Sequence, residues 1–110
     1  DLSDLEAIPA LADELRRRLP ADALHGLVNN AGISPKGEGG ARLGVMATDA
    51  AAWLRVLSVN MISTALLTRA LFPELAAARG NVVNVTSIAG TRVHPFAGTA
   101  YACSKAAMAA

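Results

Sequence analysis

Asn81-Val-Val-Asn-Val-Thr86, bracketed by Gly80 and Gly90, is the stretch on which the fold turns. Val82, Val83 and Val85 are β-branched and the glycines punctuate the run, so it reads as a buried strand. Before it, Trp53, Val56, Leu57, Met61, Leu67, Leu71 and Leu75 follow the helical period, with Thr48 and Asp49 as cap, Pro73 bending or ending the helix and Gly80 closing it. Apolar residues also occupy the other faces of this helix, which favours a subunit contact. Further back, Leu24 to Asn29 is a short apolar run that ends in Asn29-Asn-Ala-Gly32, as a buried strand does when it turns sharply at its carboxyl end.

Leu5, Ile8, Leu11, Ala12, Leu15 and Leu19 recur at helical spacing behind a Ser3/Glu6 capping-box signature. Pro9 would fall in the second turn, so the regular helix is expected to begin there, and Pro20 stops it. After the second strand a loop with Pro95 and Gly98 leads into a helix from about Ala100. Helix, strand, helix, strand, helix means an α/β protein with parallel strands and crossover helices. Two strands cannot complete such a sheet, so further strands are expected from elsewhere in a longer protein or from another chain. The start at Asp1 and the uncapped last helix give the same expectation.

A length of 110 residues fits one small domain, with 53% hydrophobic residues and a mean hydropathy of +0.36. Ten Lys and Arg against nine Asp and Glu leave a net charge of +1, which gives no electrostatic case for nucleic acid or an anionic membrane surface. Arg16, Arg17 and Arg18 form the one basic cluster and read as a solvated face near a helix end. The single cysteine, Cys103, excludes an internal disulfide, and with only His25 and His94 beside it no metal set assembles. Apolar runs are interrupted by Asn, Arg, Pro or Gly before a membrane span is complete, and no signal peptide is evident, so a cytoplasmic location is expected. Ile33 to Ala47, with four glycines and one proline, reads as a functional or mobile loop.

Tyr101 and Lys105 stand four residues apart, so one helical turn puts a phenol and an ammonium on the same face. A cation beside a phenol favours its ionised form, which makes the pair a proton-transfer device. Ser87 lies at the carboxyl end of a strand, where ligands meet open parallel sheets; its bland alternative is a residue that ends a strand or caps a turn. Asn60, between Val59 and Met61, is a poor interior helix residue and serves either chemistry or buried backbone groups. Asn29-Asn-Ala-Gly32 suits close approach of backbone to a ligand, or simply a turn. His94 and Phe96, just before Tyr101, line a pocket or make loop contacts. Cys103 would point away from the pair as a small packed side chain.

Asn29-Asn-Ala-Gly32, Val59-Asn60, Thr86-Ser87 with Ile88-Ala-Gly90, and Tyr101 to Lys105 occur in the order and near the spacing of the short-chain dehydrogenase/reductase family, which the chain resembles over essentially its whole length. The resemblance implies that residues 1–110 are part of an NAD(P)-binding domain with a Rossmann-type doubly wound parallel sheet. It implies hydride transfer between NAD or NADP and an alcohol or ketone, with Asn60, Ser87, Tyr101 and Lys105 as the catalytic group. Tyr101 would exchange the proton, Ser87 would hydrogen-bond the substrate oxygen, and Lys105 would hold the nicotinamide ribose. Asn60 would join a water-linked relay ending at Lys105. Asp1 and Leu2 match the turn that touches adenine, Asn29 helps hold neighbouring strands, and Ala31 and Gly32 line the cofactor. The long helix and the last helix are the faces through which the family forms homo-dimers and homo-tetramers.

The family's Thr-Gly-x-x-x-Gly-x-Gly loop and its substrate-closing segment do not occur within these residues, and the interval from Ser87 to Tyr101 is slightly longer than the commonest one. The 110 residues alone are therefore expected to bind cofactor weakly or not at all, and to show no turnover. A non-catalytic assembly module and the extended group of sugar epimerases and dehydratases are the alternatives.

Overall fold

In the computed structural model, which describes residues 1–110, a 3-10 turn at Leu5–Ala7 leads into helix α1 (Ile8–Arg18). Asp4 Oδ1 accepts from the Ala7 N–H at 3.3 Å, so Asp4 caps this start. The expected capping box does not form, because the Ser3 hydroxyl donates to Asp1 Oδ1 at 2.9 Å instead. Pro9 lies in the first turn of α1, where a missing N–H leaves nothing unsatisfied. Strand β1 (Gly26–Asn29) follows, starting later than the apolar run at Leu24.

The long apolar segment forms α2 (Ala50–Leu57), a π-helical turn (Ser58–Ile62) and α3 (Ser63–Ala70) in one continuous helix. Asp49 caps it, accepting from the Ala52 N–H at 2.8 Å, while Thr48 Oγ1 donates to the Gly44 carbonyl at 2.7 Å. The chain breaks at Leu71 and restarts as α4 (Phe72–Ala78), with Pro73 in its first turn. Strand β2 (Asn81–Asn84), a 3-10 turn at Ile88–Gly90 and helix α5 (Thr99–Ala109) complete the order.

β1 and β2 pair in parallel, from Gly26 opposite Asn81 to Asn29 opposite Asn84. The register has a steric cause at its entry. A Cβ on Gly80 would collide with the Leu24 carbonyl and lie 3.1 Å from the His25 carbonyl carbon, so only glycine lets the two strands start side by side. Gly80 is not the helix-closing residue; Arg79 takes the left-handed conformation there, at φ 50°. Ile8 and Ala12 of α1 meet Leu67 and Leu71, with Leu24 and Leu27 packed against them, so the core lies on the Leu27 side of the sheet. The second strand is exposed throughout and Val28 is 63% exposed, contrary to the expected burial, because two strands leave one face and both outer edges uncovered.

Arg16 corrects the reading of its cluster as a solvated face. Its Nε donates to Glu74 of α4, which is only 6% exposed, and its guanidinium also reaches the Ala70 carbonyl at 2.9 Å. Arg17 and Arg18 do remain outside, each paired with Glu14 at 2.5 Å. The hydrogen bond from Arg16 holds the Glu74 carboxyl below the usual carboxylate range. A carboxyl depressed on folding stabilises the native state above its unfolded value, about 4.3, and that contribution disappears as pH falls through the folded value. Glu74→Gln is therefore expected to lower the thermal midpoint at neutral pH and to flatten its decline below about pH 4.3, measured by circular dichroism across pH. An unchanged acid limb would show that the pair does not anchor α1 to α4.

Ala50–Ala70, 21 residues with a hydropathy of 1.4, is long and apolar enough by length and composition to cross a membrane. The expectation that every apolar run stops short of a span is corrected there, because Arg55 and Arg69 lie near the helix ends. Val56, Val59, Asn60, Ser63 and Leu67 along it are buried against protein.

Candidate active site

Ser87 lies just beyond β2 in extended conformation, and its Oγ accepts from the Ala89 N–H at 3.2 Å, capping the turn at Ile88–Gly90. The hydroxyl proton stays free to donate. Helix α5 rests directly on this turn: a Cβ on Gly90 would lie 2.7 Å from both the Lys105 carbonyl carbon and the Ala106 nitrogen. The docking sets Tyr101 and Lys105 of α5 beside the serine segment.

Lys105 is 3% exposed. Its Nζ donates to the Val85 carbonyl at 2.7 Å, stands 6.0 Å from the Tyr101 ring centroid and has a long 3.9 Å contact to Met108 Sδ. A buried ammonium is costly unless hydrogen-bonded, and it carries three donors. One carbonyl and one weak sulfur acceptor leave donor capacity that ligand hydroxyls fit.

Asn60 is fully buried. Its Oδ1 accepts from the Ile33 N–H at 2.8 Å, and its Nδ2 donates to the Ile33 carbonyl at 3.0 Å and to Ser104 Oγ at 2.9 Å. The π-helical turn adds a residue to the helix at this point and aims Asn60 at the loop after β1. Its side chain thus performs the bland role of satisfying buried backbone. A Cβ on Gly32 would lie 3.4 Å from Asn60 Oδ1 and 3.6 Å from Lys105 Nζ, so Gly32, Asn60 and Lys105 converge.

Ser104 was missed from sequence. Its buried hydroxyl accepts from Asn60 and donates to the Tyr101 carbonyl at 2.7 Å, locking α5 to the π-helical turn. The signal was present, since Ser104 follows Tyr101 by three residues and shares its helix face.

Leu2, Asn29 and Ala31 share a hollow of about 90 Å³ with Thr64 at the carboxyl end of β1. Asn29 Nδ2 also donates to Asn84 Oδ1 at 2.8 Å, tying the two strand ends together. Asp1 lies outside the hollow, exposed, with its carboxylate accepting from Ser3. On the other side, Ser87 and Tyr101 line one open cleft of about 330 Å³ together with Ser34, Lys36, His94 and Phe96. The His94 and Phe96 rings stand 5.8 Å apart in its wall. Cys103 is exposed rather than packed; α5 is so rich in alanine that no apolar stripe marks its inner face.

Comparison with known proteins bears on this arrangement. A family model for short chain dehydrogenase matches residues 1–110. Protein FixR of Bradyrhizobium diazoefficiens is 52% identical over 109 residues, which is 99% of this chain and 39% of that protein. The crystal structure of an oxidoreductase of the short chain dehydrogenase/reductase family from Brucella ovis, in complex with a partially ordered NAD, has a TM-score of 0.95 and 60% identity, covering 99% of this chain and 50% of that one. A metagenomic short-chain oxidoreductase in complex with NADP has a TM-score of 0.82 and 33% identity, covering 99% and 46%. The chain spans half or less of the length of these relatives, and its two strands and their helices correspond to part of a Rossmann-type doubly wound sheet. With a family match across every residue, a serine and a tyrosine lining one cleft and Lys105 buried behind the tyrosine, the chain belongs to the short-chain dehydrogenase/reductase family.

Proposed function

We propose that residues 1–110 form part of the NAD(P)-binding domain of a longer oxidoreductase and carry its catalytic centre for interconverting an alcohol and a ketone. The observation that carries this reading is the shared cleft of Ser87 and Tyr101, with the ammonium of Lys105 buried behind the tyrosine. NAD or NADP is the cofactor, a reading supported by the relatives that hold one or the other. The donor capacity of Lys105 suits ribose hydroxyls, and the hollow at Leu2, Asn29 and Ala31, with Gly32 beside Lys105, suits the rest; Asp1 flanks it. When bound, the cofactor supplies or accepts hydride.

In reduction, Tyr101 Oη donates a proton to the oxygen of the substrate carbonyl, and in oxidation it takes that proton back. Ser87 Oγ, whose proton is not committed elsewhere, hydrogen-bonds the same oxygen and orients it. Lys105, its Nζ 6.0 Å from the Tyr101 ring centroid, places a positive charge behind the tyrosine. Asn60 fixes the loop at Ile33, and the relay passes its proton through water toward Lys105; their convergence on Gly32 supports that role. A cytoplasmic home and a role without a membrane complete the reading, the latter supported by the packing of the long helix against α1 and α5.

Ketone-dependent oxidation of NAD(P)H tests the reading. Turnover is expected in the full-length protein and none in the 110-residue chain alone; a full-length protein inert toward every ketone and alcohol tried would overturn it. Leu54 of the long helix, at 66% exposure, favours a second role, pairing subunits through that helix and α5 as a homo-dimer or homo-tetramer. Light scattering is expected to give two or four copies for the full-length protein, and a monomer would end that part.

A further inference from the structure

The charge around the cleft is lopsided. Five of the chain's ten Lys and Arg residues fall in residues 31–57 and 85–110, but only Glu38 and Asp49 among its nine acids do. Asp49 Oδ1 is engaged in capping α2, and Glu38 lines neither hollow described here. The cleft of Ser87 and Tyr101 continues, through the shared walls of Ala89, His94 and Ala97, into a second hollow of about 280 Å³ that holds Arg42 and Arg92. No carboxylate lines either part.

Lys36 and Arg42 reach across from the loop after β1. Lys36 Nζ donates to the Phe96 carbonyl, and Arg42 Nε donates to the Ala97 carbonyl at 2.8 Å. These bonds aim both cations at the segment between Ser87 and Tyr101 and still leave two ammonium donors and four guanidinium N–H groups. Arg92 has no side-chain hydrogen bond, and none of the four ion pairs of the chain involves any of the three. Unpaired cations around a concave wall raise the local concentration of anions and speed their arrival.

We propose that the substrate is a keto or hydroxy acid, its carboxylate held by Arg42 and Arg92 with Lys36 nearby while its carbonyl or hydroxyl carbon faces Tyr101 and Ser87. This assignment rests on the oxidoreductase reading above and narrows its substrate class. The guanidinium forks match a carboxylate bidentately, whereas a neutral ketone gains nothing from them.

The test uses the full-length protein with NADH and NADPH and three pairs of ketones: 2-oxobutyrate, 3-oxobutyrate and 4-oxopentanoate, each beside its methyl ester. The acid of at least one pair is expected to exceed its ester about tenfold in kcat/KM, a difference that shrinks as salt is added. Arg92→Glu reverses a charge without removing a structural hydrogen bond, and it is expected to cut the acid-to-ester ratio at least about threefold through KM, with Arg42→Gln acting in the same direction. Equal use of acid and ester, or a ratio that neither variant moves, overturns the anion assignment and leaves the oxidoreductase reading standing. Failure of all six compounds with both cofactors overturns that reading for these ketones and the assignment with it.

Discussion

Tyr101→Phe in the full-length protein is expected to reduce kcat by about 10²- to 10⁴-fold while leaving cofactor affinity within about twofold, the range that a positioned proton donor contributes. The substitution isolates one oxygen atom. The ring of Tyr101 also borders a tight contact region with Pro35, Leu43 and Val56, and phenylalanine keeps that packing. The ammonium of Lys105 keeps its place as well, since the Val85 carbonyl and not the phenol holds it. Stopped-flow hydride transfer with a ketone, beside fluorescence titration of NADH, separates the two effects. A variant that retains a tenth or more of the turnover, or that loses cofactor in proportion to activity, would remove Tyr101 from the chemical step.

Gly90→Ala is expected to damage both stability and turnover, although it adds a single methyl and touches no ligand. The added carbon would sit 2.7 Å from two backbone atoms of α5, at Lys105 and Ala106, and neither can move as a side-chain tip would. Overpacking of this kind costs about 1–3 kcal/mol and occasionally more. The backbone that must retreat carries Tyr101 and Lys105 away from Ser87, so a kcat loss of at least about tenfold is expected, consistent with the steep dependence of catalysis on placement. Met46→Ala, at a side chain 99% exposed that lines neither hollow, is the control and should leave melting and turnover near the original values. If Gly90→Ala melted and turned over like that control, the direct seating of α5 on the serine turn would be wrong.

What the sequence made legible was local. The spacing of Tyr101 and Lys105 on one helix and the two apolar runs each depend on neighbours within a few positions, and they emerged as a helix and as two strands shorter than their runs. The sharp turn expected at Asn29 to Gly32 did not, and residues 30–37 run on without a turn or bend. The need for glycine at 80 and 90 was not legible, because what each must accommodate is backbone far away in sequence: Leu24 for one, Lys105 for the other. The Arg16–Glu74 pair spans 58 positions and is set by how α1 crosses α4, which no periodicity encodes. Asn60 looked misplaced in a helix by propensity, and that was a correct alarm; the π-helical turn that explains it leaves no mark in composition. The charge of the cleft was hidden for a different reason. A net +1 averages two regions of opposite sign, and only folding sorts them.

The π-helical turn at Ser58–Ile62 has one more consequence. An extra residue in a single turn shifts everything after it by about 100° around the axis, as if the helix had been sawn through and twisted before being glued again. α2 and the turn face α5 and the chemistry, while α3 faces α1 and the core, so one rod serves two separate neighbours. Loss of any one residue from the turn would erase the offset and present the wrong side of the rod to one of them, which makes its length, more than its lettering, the quantity that cannot drift.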